Sequence, residues 1–167
     1  DFRSVPFCAI AILAFAQPGY SGNWKTYTNR DYHYTIQYPA GWKVVEAQPR
    51  KDPGVKRSGD ILLERELQKV TFLEPERNVW QGELKVRVVA LPEGDSIEKW
   101  AGEFFQTPMG DVLASDFEST TLNKEPATKF MVFGFDHQGI EIACCRSGVL
   151  YNVSFAGQNP NDPDVGL

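Results

Sequence analysis

Residues 23 to 45 read NWKTYTNRDYHYTIQYPAGWKVV, and this stretch decides the fold. Trp24 to Thr28 is a first strand-like run, followed by a turn at Asn29-Arg30-Asp31. Tyr32, Tyr34, Ile36 and Tyr38 then alternate with His33, Thr35 and Gln37, a period of two that gives a strand one apolar face. The run ends at Tyr38-Pro39-Ala40-Gly41-Trp42, a proline–glycine corner closed by a large aromatic. Trp42 to Val45 resumes as strand.

Upstream, the chain reads as an export leader. Arg3 precedes an uncharged apolar run from Val5 to Ala16, closing on Ala14-Phe15-Ala16 with small residues where a signal peptidase reads. That run is shorter than the roughly 18 to 20 apolar residues of a membrane-spanning helix, and no later segment resembles a span. The expected organisation is a signal peptide over 1–16, a linker over 17–22 and one domain over 23–167. A buried first helix is the competing reading of the apolar run. Cys8 precedes most of this run and is badly placed for lipid attachment. Because the chain starts at Asp1 without a Met, further leader residues are expected before it. Removal of the leader leaves about 150 residues, enough to bury roughly 68–70% of the extended surface in one core.

Hydrophobic residues make up 42% of the chain and charged ones 23%, which fits an ordinary globular domain. The formal net charge is −5. Lys43, Arg50, Lys51, Lys56 and Arg57 form only a loose cluster, interrupted by Glu46 and Asp52. Without a basic stripe to release counterions from a phosphate backbone, nucleic acid is excluded as a partner. With Cys8 in the leader, only the neighbours Cys144 and Cys145 remain. On a strand they point to opposite faces, one inward and one outward. A vicinal or intermolecular bridge is open to them in an oxidising compartment, but an adjacent pair offers too few ligands for a metal.

Beyond the opening stretch, Gln48 to Gly59 is a loop rich in Pro, Gly, Lys and Arg. Ile61 to Gln68 fits a helical turn or a ragged strand equally well. Lys69 to Leu73 reads as a strand, Glu74 to Gln81 as an exposed connection, and Leu84 to Ala90 as a half-buried strand carrying Lys85 and Arg87. Asp95 and Glu98 have the spacing of a capping box. Ile97, Trp100, Ala101, Phe104 and Phe105 then form one apolar helical stripe, which Pro108 stops. Four strands follow: Ser115–Leu122, Ala127–Phe135, Gly139–Arg146 and Val149–Phe155. Their links are too short for crossovers, so they form an antiparallel meander. One amphipathic helix among antiparallel strands is an α+β pattern. Trp42, Trp100, Phe104 and Phe105 are expected to fill the core between helix and sheet. The final segment, Gly157 to Leu167, cannot cover the remaining apolar positions, so a closing helix is expected beyond it.

The order W-x-T-Y-T-N, aromatic strand, Y-P-A-G-W, strand, capped helix and meander resembles the PsbP-like proteins. These are relatives of the extrinsic photosystem II subunit and include many exported bacterial members. Trp24, Tyr27, Tyr34, Ile36, Tyr38, Pro39, Gly41 and Trp42 carry the match, with Ser96-Ile97-Glu98-Lys99-Trp100 and Gly148-Val149-Leu150-Tyr151. It covers about Asn23 to Phe155. The resemblance implies an α+β fold in which an antiparallel sheet is packed with helices as an α/β/α sandwich, here lacking its C-terminal helix. It implies no catalytic site. Members in oxygenic phototrophs are accessory proteins that help assemble or tune a photosystem, some with metal-ion binding. The implied location is exported: periplasmic or extracellular, or the thylakoid lumen in a phototroph.

The chemical candidates are sparse. Ser96-Ile97-Glu98-Lys99 matches the S-x-x-K pattern of serine acyl transfer, but its companion motifs are missing and capping explains the serine. His33 on a polar strand face and His137 in a turn beside Asp136 read as surface histidines. Asp111, Asp116 and Glu118, and the tail group Asn159, Asn161, Asp162 and Asp164, lack the twelve-residue spacing of a calcium loop. Asn152-Val153-Ser154 is a glycosylation sequon inside a strand. No catalytic residue, metal or cofactor is expected. The leading reading is a non-catalytic exported domain that binds a protein or a membrane-protein complex as an assembly accessory factor. Trp80 and Arg77 are its contact candidates, since Trp and Arg dominate interface hot spots; burial of Trp80 against the sheet edge competes with that role. A second reading is a small-ligand binder with a pocket between sheet and helix lined by Tyr32, Tyr34 and Tyr38. A third is a hydrolase using Ser96 or a histidine.

Overall fold

The computed structural model describes residues 11–12, 23–47, 65–75, 82–105, 113–133 and 138–156. A small sheet of order β1-β3-β2 comprises β1 (Ala11–Ile12), β2 (Trp24–Asn29) and β3 (Tyr34–Pro39). A second sheet of seven strands has the order β4-β5-β6-β10-β9-β8-β7. Its strands are β4 (Lys43–Ala47), β5 (Glu66–Leu73), β6 (Glu83–Ala90), β7 (Leu113–Leu122), β8 (Glu125–Phe133), β9 (Gln138–Arg146) and β10 (Val149–Ala156). Helix α1 (Ile97–Phe105) lies in sequence between β6 and β7.

From Tyr34 on, the opening stretch folds as its alternation predicts, while Tyr32 belongs to the turn before β3. β2 and β3 pair antiparallel from Trp24↔Pro39 to Asn29↔Tyr34. The Asn29 side chain accepts a hydrogen bond from the Tyr32 N–H at 3.0 Å, a local bond that fixes the turn. His33 sits in that turn with a φ of 53°, exposed, so it does not share the polar face of β3. At the corner, the Trp42 N–H donates to the Pro39 carbonyl at 3.0 Å and the Ala40 N–H to the Asn23 carbonyl at 2.8 Å. The corner thereby carries the chain out of the small sheet and into β4, an edge of the large one. Ala11 and Ile12 run parallel to β3 opposite Thr35 and Ile36.

The large sheet consists of two meanders, β4–β5–β6 and β7–β8–β9–β10, all antiparallel. They meet where β6 pairs with β10, from Ala90↔Val149 to Glu83↔Ala156. Counting across the alternating directions makes β6 and β7 parallel, so their connection must cross a face of the sheet. Helix α1 is that crossover. The ambiguous segment before Lys69 resolves as strand: β5 starts at Glu66, with an irregularity between Glu66 and Gln68. Two-residue turns close the tight hairpins, Asn123-Lys124 at φ 51° and 71° and Ser147-Gly148 at 51° and 75°. Left-handed values at both central residues match the right-handed twist of the flanking strands.

Strand alternation gives the large sheet two faces and the domain two cores. The first face carries Val70, Phe72, Leu84, Val86, Val88, Cys144 and Val153, packed against Tyr34, Ile36 and Tyr38 of β3. Phe72 meets Tyr38 with ring centroids 4.7 Å apart and Tyr27 edge-on at 5.6 Å. A fully buried side chain of this size contributes about 1.5–3 kcal/mol. On the second face Val89, Leu150, Ala143, Phe130 and Val132 pack against Trp100, Ala101, Ile97, Phe104 and Phe105 of α1.

Three expectations change. Trp42 packs with the tyrosine core, on the face opposite α1, with the end of its ring close to Gly82 just before β6. The cap of α1 is Ser96: its Oγ accepts the Lys99 N–H at 3.1 Å, so the third helical residue is Lys99 and Glu98 completes no capping box. Asp95 instead pairs with Lys99 Nζ at 2.5 Å and with Arg65 at 3.6 Å. Among the described residues, the layer opposite α1 is the β2–β3 hairpin, where a three-layer helix–sheet–helix arrangement would need a second helix.

Candidate functional site: a buried charged network beside the helix

On the face that α1 covers, β6, β10 and β9 interrupt their apolar residues with Arg87, Asn152, Ser154 and Glu141. Register brings them together: Asn152 lies opposite Arg87, and Ser154 opposite Glu141. Arg87 Nη1 donates to Asn152 Oδ1 at 2.9 Å. Asn152 Nδ2 then donates to Glu141 Oε2 at 2.8 Å. The amide bridges guanidinium and carboxyl, which stand 3.8 Å apart. Arg87 Nε is 3.9 Å from Glu66 Oε2 on β5, and its guanidinium lies 5.2 Å from the centre of the Phe104 ring. The network therefore touches three central strands, β5 and the last turn of the helix.

Glu141 and Asn152 are 0% exposed, burial that is costly for polar groups unless each finds a partner. Glu141 Oε2 has one. Glu141 Oε1 has no hydrogen-bond partner among the described residues. Burial pushes the Glu141 carboxyl up, and Arg87, Asn152, Ser154 and Lys85 together pull it back only in part. Lys85 is itself paired with Glu83. Chemically, the arrangement favours the protonated form of a buried acid and sets a charged strand residue over a helix ring.

The sequence-derived candidates are placed as follows. Tyr34 is fully buried, with its hydroxyl donating to Gln68 Oε1 at 2.8 Å; Tyr32 donates to the Leu67 carbonyl at 3.3 Å. The Tyr151 hydroxyl donates to the Tyr32 carbonyl at 3.0 Å. Tyr32, Tyr34 and Tyr38 thus gather between the two sheets, on the face away from α1 and not between sheet and helix. Burial pushes the Tyr34 hydroxyl well above the usual tyrosine range. Trp80, Arg77, His137, Asp111 and the tail residues Asn159, Asn161, Asp162 and Asp164 lie outside the described residues. Ser96 Oγ is engaged as a helix cap, and the Asp95 carboxylate raises the Lys99 ammonium pKa, the opposite of what a Ser–Lys base requires. Asp116 and Glu118 are both exposed; Asp116 is at an irregularity of β7 with a φ of 55°, and Glu118 is 3.6 Å from Lys129. Among the described residues, no three His, Cys, Asp or Glu side chains gather as metal ligands, and no helix is long and apolar enough to cross a membrane. Asn152 of the sequon is committed to Arg87 and Glu141 and sealed from solvent.

The buried network was missed by sequence reasoning, and a signal for it exists. Arg87, Glu141, Asn152 and Ser154 each occupy the same phase of their strands as apolar core residues: Val89, Ala143 and Leu150. Seeing that they meet requires the β6–β10 pairing, which joins the two meanders across a long stretch of chain.

No family model matches the chain, and no curated protein matches it. Among solved structures, the fold is similar to the solution structure of cyanobacterial PsbP (CyanoP) from Synechocystis sp. PCC 6803. The TM-score is 0.50 at 18% identity, over 83% of this chain and 84% of that one. The domain therefore has a PsbP-like fold, an antiparallel sheet with α1 on one face. At that identity the likeness is one of fold alone.

Proposed function

We propose that this chain is a non-catalytic accessory domain that acts outside the cytoplasm by docking on a protein or membrane-protein complex. The observation that carries the proposal is the fold likeness to CyanoP, which runs over most of both chains. Two features support it. The S-x-x-K serine and lysine are both engaged in structural contacts, and the tyrosine hydroxyls of the alternative ligand site already donate to Gln68 and Leu67. Docking is assigned to the connection after β5, through Trp80 and Arg77, where a large aromatic beside a guanidinium has the composition of an interface anchor. The leader supports an exported location, periplasmic or extracellular, or the thylakoid lumen in a phototroph.

The test is affinity capture of the tagged full-length protein from a membrane extract of its own source. The expected result is a defined complex, recovered with the parent and lost with Trp80→Ala while the thermal unfolding curve is unchanged. A blank with a well-folded bait overturns the docking proposal and favours the small-ligand reading.

A further inference from the structure

The Arg87–Asn152–Glu141 chain has an arrangement that simple core filling does not require. One carboxyl oxygen is held by an amide; the other is sealed from water and has no hydrogen-bond partner among the described residues, with Ser154 opposite Glu141 on β10 favouring the charged form. Leaving a buried acceptor unmatched is costly, and a carboxylate in that position is costlier than an acid. Among the described residues, the charged and polar groups around Glu141 are few. From β10 come Asn152 and Ser154, and from β6 come Arg87, Lys85 and the Glu83 that pairs with Lys85. β5 supplies Glu66 and Lys69 next to Arg87. β8 places Phe130 directly opposite. α1 contributes the Phe104 and Phe105 rings, while its own charged residues Glu98, Lys99 and Glu103 are exposed. Among these groups Arg87 has the choice of partners: it contacts Asn152 at 2.9 Å, faces the Phe104 ring at 5.2 Å, and stands 3.8 Å from Glu141, beyond hydrogen-bond range.

We propose that Glu141 is a proton-operated latch between the sheet and α1. With a proton on its unmatched oxygen, the acid is neutral and leaves Arg87 seated on Asn152 and under Phe104. When that proton passes to water, the new carboxylate draws the guanidinium into direct contact. Arg87 then leaves the Phe104 ring, and the last turn of α1 loses its cation–π anchor. The latch couples acidification to tighter docking of the helix.

The sign follows from linkage. The folded state holds the Glu141 proton more tightly than the unfolded chain does. Above the unfolded value of about 4.3, stability therefore falls as pH rises, until the folded acid has titrated. One proton linked in this way raises the unfolding constant by up to about tenfold per pH unit in that window. The first measurement uses wild type alone: NMR of the Arg87 Nε–H and the Phe104 ring, with infrared detection of the protonated carboxyl, across a pH series. Both NMR signals are expected to move at one midpoint, together with loss of the acid carbonyl band. The second compares urea unfolding of wild type and Glu141→Gln, where glutamine imitates the neutral acid. The Gln variant is expected to lose the pH slope assigned to Glu141. An acid carbonyl band that is already gone once the exposed carboxylates have ionised, or an Arg87 signal that does not follow the carboxyl, overturns the latch. If Glu141→Gln does not fold, the wild-type series decides alone.

Discussion

Replacing Arg87 by methionine keeps the aliphatic stem under Phe104 and removes the guanidinium. The structure sets the size of the effect. One 2.9 Å hydrogen bond to Asn152 and one ring contact at 5.2 Å are lost, while the approaches to Glu66 and Glu141 at 3.9 and 3.8 Å are too long to add much. A hydrogen bond to a charged group is worth about 1.5–3 kcal/mol and a partly desolvated cation–π contact about 1, so Arg87→Met should cost about 2–4 kcal/mol. Urea unfolding followed by tryptophan fluorescence measures this, provided the dependence on denaturant keeps its slope. The informative number comes from the double variant with Glu141→Gln. If Glu141 is neutral in the folded state, the two substitutions add to within about 1 kcal/mol at mildly acidic pH. Were Glu141 charged and ion-paired, Arg87→Met alone would strand a buried carboxylate at about 3–5 kcal/mol, and the coupling would approach that size. A coupling that large refutes the neutral-acid reasoning.

Ser96→Ala should lower stability by about 1 kcal/mol through loss of the helix cap, read as a lower urea midpoint and faster amide exchange in the first turn of α1. Cys144 and Cys145 should differ sharply toward a thiol reagent in the folded protein. Cys145 is exposed, whereas Cys144 is buried and its thiol is pushed up to about 12, chiefly by burial. Equal labelling rates for the two would contradict the orientation of β9.

The local architecture was readable because each element carried its own signal. Alternation in Tyr34, Ile36 and Tyr38 has one satisfactory structure, a strand with those side chains inward. The stripe from Ile97 to Phe105 likewise has one, a helix on an apolar surface. What depended on long-range partners was harder to read. Trp42 looked like helix-facing core because its sequence neighbourhood does not say which face of the large sheet its ring covers. Adjacent candidates Asp95 and Ser96 compete for one capping position, and a side chain engaged in ion pairs leaves the cap to its neighbour. Arg87 read as a half-exposed strand residue, and only its pairing beside Asn152 reveals a buried charge. Glu141, with apolar neighbours before and after it, gave the same local pattern as any central strand.

The single seam between the two meanders has a kinetic consequence. Hairpins β4–β5–β6 and β7–β8–β9–β10 each close locally, but β6 and β10 find each other only after α1 has spanned the strands between. Non-local pairing of this kind makes folding slow, since loop-closure entropy is lost before the contacts that repay it form. Until the seam closes, both meanders present an unpaired apolar edge with its backbone donors and acceptors free. A second copy at the same stage offers the matching edge, so crowded synthesis favours exchange of halves between chains. The β6–β10 junction is thus where folding and self-association compete.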